Sequence, residues 1–297
     1  MTPFRPFFFL GFLFLAACAN TPAPPATLNN PARPTAASPV AAPTPPPAAQ
    51  VRPTATATAP ARGPGHSAGP TRSPVCKRAS VSGISLRIVS FDSRTHRIRI
   101  ADQPGGPGSK WPDSRAAGRA LGGLAAINGG FFTPEGRPLG LVVAGGRRSG
   151  AWNRASWTGS GCFVKRTDAL PALARREKID PSAPGIATLL QSGPILVENG
   201  HAVGGLDAAS SRPRSFLAWD GRSRWIFGVA SACSLDALAR ALAGASPAGW
   251  PVRHALNLDG GRSSELWVSE NLPGGPVFQR PFFNKPVRNF LVLAPAK

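Results

Sequence analysis

The sequence predicts an α+β domain, with a mixed, mostly antiparallel β-sheet and few helices. Three observations predict it. Short apolar runs that alternate with polar residues recur from Val81 to the C-terminus. Clusters of Gly, Asn, Asp and Pro punctuate them at turn positions. Only short stretches carry helical spacing with caps.

The chain opens with Arg5 and an almost unbroken apolar run from Phe7 to Leu15, followed by Ala16, Ala17 and Cys18. A charged start, a short apolar stretch and small residues at its end describe a secretory signal. The run is too short to span a bilayer, which takes roughly 20 apolar residues. The Leu15-Ala16-Ala17-Cys18 ending resembles the bacterial lipoprotein box, so residues 1–18 read as a lipoprotein signal with Cys18 as the lipidated residue. A Cys carrying several acyl chains holds a protein on a membrane. Ala19 rather than Asp follows it, which fits the periplasmic face of an outer membrane. Residues 19–75 are rich in Pro, Ala and Thr and contain no Asp or Glu. With few large apolar side chains to bury, they are expected to form an extended tether.

The folded domain is expected over 76–297, long enough for one sizeable core. Val81–Ile100 reads as a hairpin turning at Asp92–Thr95, and Arg115–Leu121 as a short helix. Leu139–Val143 and Cys162–Lys165 read as strands, and Leu170–Ile179 as helix or loop. Gly193-Pro194 breaks the apolar run from Ala187 to Val197, and Asn199-Gly200 is a turn dipeptide. Ser215–Trp219 and Trp225–Val229 read as a hairpin. Ser234 is a fitting N-cap for a helix over Leu235–Ala243, with Gly244 at its end. Ala255–Leu258, Glu265–Val268 and Asn289–Leu293 complete the strands.

The net charge of +20 is spread along the chain without a Lys/Arg block, so no nucleic-acid partner is expected. It favours anionic partners such as phosphorylated glycans. Cys76, Cys162 and Cys233 allow one disulfide and one leftover thiol, with the pairing open. No Cys or His spacing fits a metal site; no cofactor is expected, and a structural calcium is left open.

Two places share a pattern. Leu124-Ala125-Ala126-Ile127 runs into Asn128-Gly129-Gly130, and Ala255-Leu256-Asn257-Leu258 into Asp259-Gly260-Gly261. Each is an apolar strand ending in a short polar acceptor and two glycines. Paired glycines let the backbone approach a ligand closely, and successive amides form an anion-binding concavity. Arg262, Ser263 and Ser264 add a cation and two hydroxyls behind the second elbow. The Arg212-Pro213-Arg214-Ser215 segment offers two guanidinium groups suited to a phosphate.

In order, AAINGGFF, QSGPILVENG, RPRSFLAWDGR and ALNLDGGRSSELWV resemble the phosphodiester glycosidase domain, over roughly Ser80 to Leu293. The resemblance implies hydrolysis at the sugar C1–O bond of a sugar-1-phosphodiester, giving sugar and phosphomonoester, and the export signal places it in the cell envelope. It places Asn128, Gly129 and Gly130 on the first elbow, Gly193 and Pro194 on a central turn, and Arg214 on an arginine segment. Asp259, Gly260, Gly261 and Ser263 fall on the most characteristic turn. Arg262 stands where the family often has a small residue. On this reading Asp259 is the carboxylate at the anomeric carbon, as nucleophile or as base for a water. Asn128 orients a sugar hydroxyl or that water, and Arg214, the glycine amides and Ser263 hold the phosphate. Glu198 and Glu265 are candidates for a second carboxylate. The alternative is a non-catalytic envelope module that binds phosphorylated glycan or cell-wall polymer at the same pocket.

Overall fold

A computed structural model describes residues 73–296. The signal segment, Cys18 and nearly all of the 19–75 tether lie outside the described residues. The described strands form one sheet of 7 and two of 5. Every pairing between them is antiparallel. The helix-poor, mostly antiparallel α+β class is as the sequence predicts, but the strands divide among three sheets.

The first sheet runs Val75–Val81, Ile84–Asp92, Arg224–Cys233, Arg212–Trp219, His254–Asn257, Ile195–Glu198, His201–Ala202. Its central strands are buried on both faces, and alternation sorts their side chains. Leu217, Trp225 and Phe227 face a central core shared with the other sheets. Phe216, Ala218 and Ile226 face the opposite way, against helix Leu235–Ala243. Ser234 caps that helix through a hydrogen bond from the Ala237 amide (3.1 Å), and Gly244 ends it, both as expected. Leu235, Leu238 and Leu242 on its inner face are buried, each contributing about 1.5–3 kcal/mol.

The second sheet runs Val277–Gln279, Leu266–Val268, Ala125–Asn128, Asn289–Pro295, His96–Asp102. Ile127, Leu266 and Leu291 enter the central core; Ala126, Trp267 and Phe290 pack with Ala117 of helix Ser114–Ala120. Asp113 caps this helix by accepting from the Ala116 amide (2.8 Å). The third sheet runs Arg147–Ser149, Val142–Ala144, Ile186–Ser192, Gly161–Arg166, Ala172–Arg175.

Three expectations are corrected. The strands either side of Asp92–Thr95 do not pair with each other. Ile84–Asp92 belongs to the first sheet and His96–Asp102 to the second, so the turn is a corner between sheets. Asp92, nearly buried, pins that corner by accepting from the Arg94 amide (2.9 Å) and guanidinium (2.6 Å) and from Ser223 (3.3 Å). The segment read as helix or loop is the strand Ala172–Arg175 followed by one 3₁₀ turn, Arg176–Lys178. Among the described residues no disulfide forms: Cys76, Cys162 and Cys233 are all free and buried. Cys76 lies in the central core and Cys233 in the core under the helix, across the first sheet from it. Burial pushes the Cys162 thiol up to about 12, which keeps it protonated and unreactive.

Candidate active site

The two glycine elbows come from different sheets and meet. The Asp259 amide donates to the Gly129 carbonyl (3.0 Å). The Asn128 amide group donates to the Asp259 carbonyl (2.6 Å). Asn128 Oδ1 accepts from the Ser215 hydroxyl (2.7 Å) and the Glu265 amide (3.1 Å). One fully buried side chain thus joins both elbows and the arginine strand.

The central turn joins the same junction. Asn257 donates through its amide to Pro194 (3.0 Å) and through Nδ2 to the Gly193 carbonyl (2.9 Å). The Ser192 hydroxyl donates to the Asn257 carbonyl (3.0 Å). The glycines are needed for close approach. A Cβ on Gly129 would collide with Asn289, which accepts from the Gly130 amide (2.9 Å). Gly260 lies against Pro213 and Arg214, where a Cβ would stand 3.1 Å from the Pro213 carbonyl oxygen. Gly261 has φ +60, the left-handed region glycine favours.

A cleft of about 630 Å³ opens above this junction. Pro194, Asn257, Asp259 and Gly260 form its floor side, with Arg212 and Arg214 beside them. Phe131 and Trp157 form one rim, their rings edge-to-face at 5.7 Å, with Trp157 56% exposed. The loop bearing Leu206, Asp207 and Ser210 forms the other wall.

Asp259 is partly buried, two residues past the strand His254–Asn257. Burial pushes its carboxyl up to about 6, against hydrogen bonds from Ser263 and the Gly260 amide that hold it down. Arg214 is only 7% exposed. Its Nε donates to the Cys233 carbonyl (3.0 Å) and its Nη2 to the Ser210 carbonyl (2.6 Å). Among the described residues no carboxylate makes an ion pair with it. Burial lowers its pKa from the usual value, yet a guanidinium stays charged. A buried cation fixed by two carbonyls and facing a cleft is a ready anion site.

Of the residues singled out in the sequence, Asp259, Gly260, Pro194, Arg212 and Arg214 line the cleft. Asn128, Gly129, Gly130, Gly193, Gly261 and Ser263 stand behind the lining and hold it in place. Arg262 turns away, its Nε donating to the Phe283 carbonyl (2.9 Å). Neither candidate second carboxylate faces the cleft. Glu198 pairs with Arg175 (2.8 Å) and Lys178 (3.6 Å). Burial there works against ionisation, but those two cations outweigh it and hold the carboxyl low. Glu265 is fully buried under helix Ser114–Ala120, accepts from Ser114 (3.3 Å) and is pushed by burial up to about 7.

Sequence reasoning missed Asp207, the second carboxylate of the cleft. Ser210 above all, with the Ala209 amide, hydrogen-bonds it and holds it below the usual range. Its signal was an Asp-Ala-Ala-Ser turn pattern, which is common in any loop. Trp157 and Phe131 were missed too, since an aromatic residue among polar ones names no partner in sequence.

No curated protein matches the chain in sequence. Among solved structures, the fold resembles the zebrafish N-acetylglucosamine-1-phosphodiester alpha-N-acetylglucosaminidase catalytic domain auto-inhibited by its pro-peptide. That likeness has a TM-score of 0.51 at 18% identity, over 76% of this chain and 84% of the other. A protein from Synechocystis matches with a TM-score of 0.48 at 18% identity, over 73% and 61%. The phosphodiester glycosidase family matches residues 122–294, which is more than half of the chain and includes both elbows, so this chain belongs to the phosphodiester glycosidase family.

Proposed function

We propose that the protein hydrolyses the sugar C1–O bond of a sugar-1-phosphodiester, releasing free sugar and a phosphomonoester. We place it in a bacterial cell envelope, held by a lipid on Cys18, with a phosphorylated glycan or sugar phosphate as substrate. The observation that carries the reading is one cleft holding two unlike groups: Asp259, with its carboxyl raised to about 6, and Arg214, a buried cation with no carboxylate ion pair among the described residues. The zebrafish relative is named for action on N-acetylglucosamine-1-phosphodiesters, which makes these the first substrates to try.

The chemistry follows from the leaving group. As C1–O breaks, its electron pair stays on a phosphate oxygen, and the phosphomonoester leaves without needing a proton. What the site supplies is charge. Arg214 and Arg212 hold the phosphate as its charge grows, in a partly dry cleft where such contacts are strong. Asp259, ionised, faces the positive charge that develops at the sugar ring and acts as nucleophile or as base for water. Asn128 acts indirectly, fixing the backbone of Asp259. The aromatic rim of Phe131 and Trp157 offers a face for the sugar ring.

The first test is turnover of a panel of sugar-1-phosphodiesters, beginning with N-acetylglucosamine. Free sugar and phosphomonoester in equal amounts are expected. A protein that retains the diester intact over hours is a binding module, and the reading then fails.

A further inference from the structure

Away from the cleft, the hairpin of Val75–Val81 and Ile84–Asp92 sets like against like. Its register opposes Arg78 to Arg87 and Ser80 to Ser85. Strand alternation puts these four side chains on one face, while Ala79 and Leu86 pack on the other, in the core under the helix. Opposed side chains stand about 4.5–5.5 Å apart at Cβ, and like charges there repel. A hairpin that met only solvent gains more by setting an acid against an arginine.

This face opens into a groove of about 1050 Å³. Its far wall is the edge strand Val277–Gln279 of the second sheet, followed by Arg280. The Arg280 guanidinium rests 5.5 Å from the centre of the Phe278 ring. Three arginines thus line the groove from two walls, with the Ser80, Ser85 and Ser231 hydroxyls between them, and no Asp or Glu lines it. Among the described residues neither Arg78 nor Arg87 has an ion pair, and Arg280 reaches Asp113 only at 3.7 Å. Arginine forks suit phosphate oxygens. Cations on both walls suit a chain of phosphates better than a single one, because separate charges then meet separate walls.

We propose that this groove binds a linear polyanion whose phosphate groups repeat along the chain. It shares no lining residue with the Asp259 cleft, so binding here and turnover there stand or fall separately. The probes are inorganic polyphosphate and monomeric phosphate, titrated calorimetrically against the full chain. R78T/R87T tests the groove. R147T/R148T removes the same charge from the exposed strand Arg147–Ser149. Polyphosphate is expected to bind the groove variant about tenfold or more weakly, the control within about twofold, and with a shallower salt dependence only in the groove variant. Arg280→Gln, at an exposed position, is expected to weaken binding in the same direction and covers the case where the strand variant does not fold. Equal loss in groove variant and control overturns the proposal, since net charge alone then binds. So does monomeric phosphate binding as tightly as the polymer, or no loss in either groove variant.

Discussion

Asp259→Asn is expected to lower kcat by about 10²–10⁴-fold, while the thermal midpoint at pH 8 holds or rises. The two halves share one cause. Burial raises the carboxyl from 3.8 to about 6. A carboxyl raised by folding contributes stability that is fully present below its unfolded value and lost as pH rises through its folded one. Above pH 6 the wild-type protein therefore holds a desolvated charge that costs on the order of 3 kcal/mol, and asparagine carries no such charge. Glu265, raised from 4.5 to about 7, adds a loss of the same sign over a slightly higher range, and the substitution leaves it in place. Activity runs the other way. The reaction needs the ionised form, so kcat/KM of the wild type should fall as pH drops through about 6. A variant with wild-type turnover would remove Asp259 from the chemistry, and a rate that rises as pH falls through that value would make it an acid instead.

Asn128→Ala is expected to cost about 4 kcal/mol and to lower the thermal midpoint by about 10 °C. The truncation strands three groups inside the protein: the Asp259 carbonyl, the Ser215 hydroxyl and the Glu265 amide. Each buried polar group left without a partner costs about 1–3 kcal/mol. It also frees the turn that presents Asp259, so turnover should fall well below the melting range. Denaturant unfolding of the purified variant checks it. A loss under about 1 kcal/mol would mean that the elbows hold together without this side chain.

Much of the fold was legible because its signals are local. Ser234 and Gly244 bound a helix wherever they occur with that spacing, and the unbroken apolar run of Phe216, Leu217 and Ala218 marks a strand buried on both faces. Partner choice was not legible. Asp92–Thr95 reads as a hairpin turn, yet whether the chain returns along the same sheet or crosses to another depends on contacts with strands more than a hundred residues away. The same holds at the site. Glycine pairs, Arg214 and Asp259 stand out by residue type and order. Asp207 does not, because an acid in a loop turn becomes part of a cleft only once the first sheet brings it beside Arg214. Glu265 misled by proximity: it follows the second elbow closely in sequence, but strand alternation sends its side chain to the opposite face, under the first helix.

Hydrolysis of N-acetylglucosamine-1-phosphodiester in oxygen-18 water, with mass analysis of both products, tests the central claim most directly. Breaking C1–O puts the label on the anomeric hydroxyl of the released sugar and none on the phosphomonoester. Label on the phosphomonoester would mean that the phosphorus–oxygen bond is cut, and the roles given to Asp259 and Arg214 would be wrong.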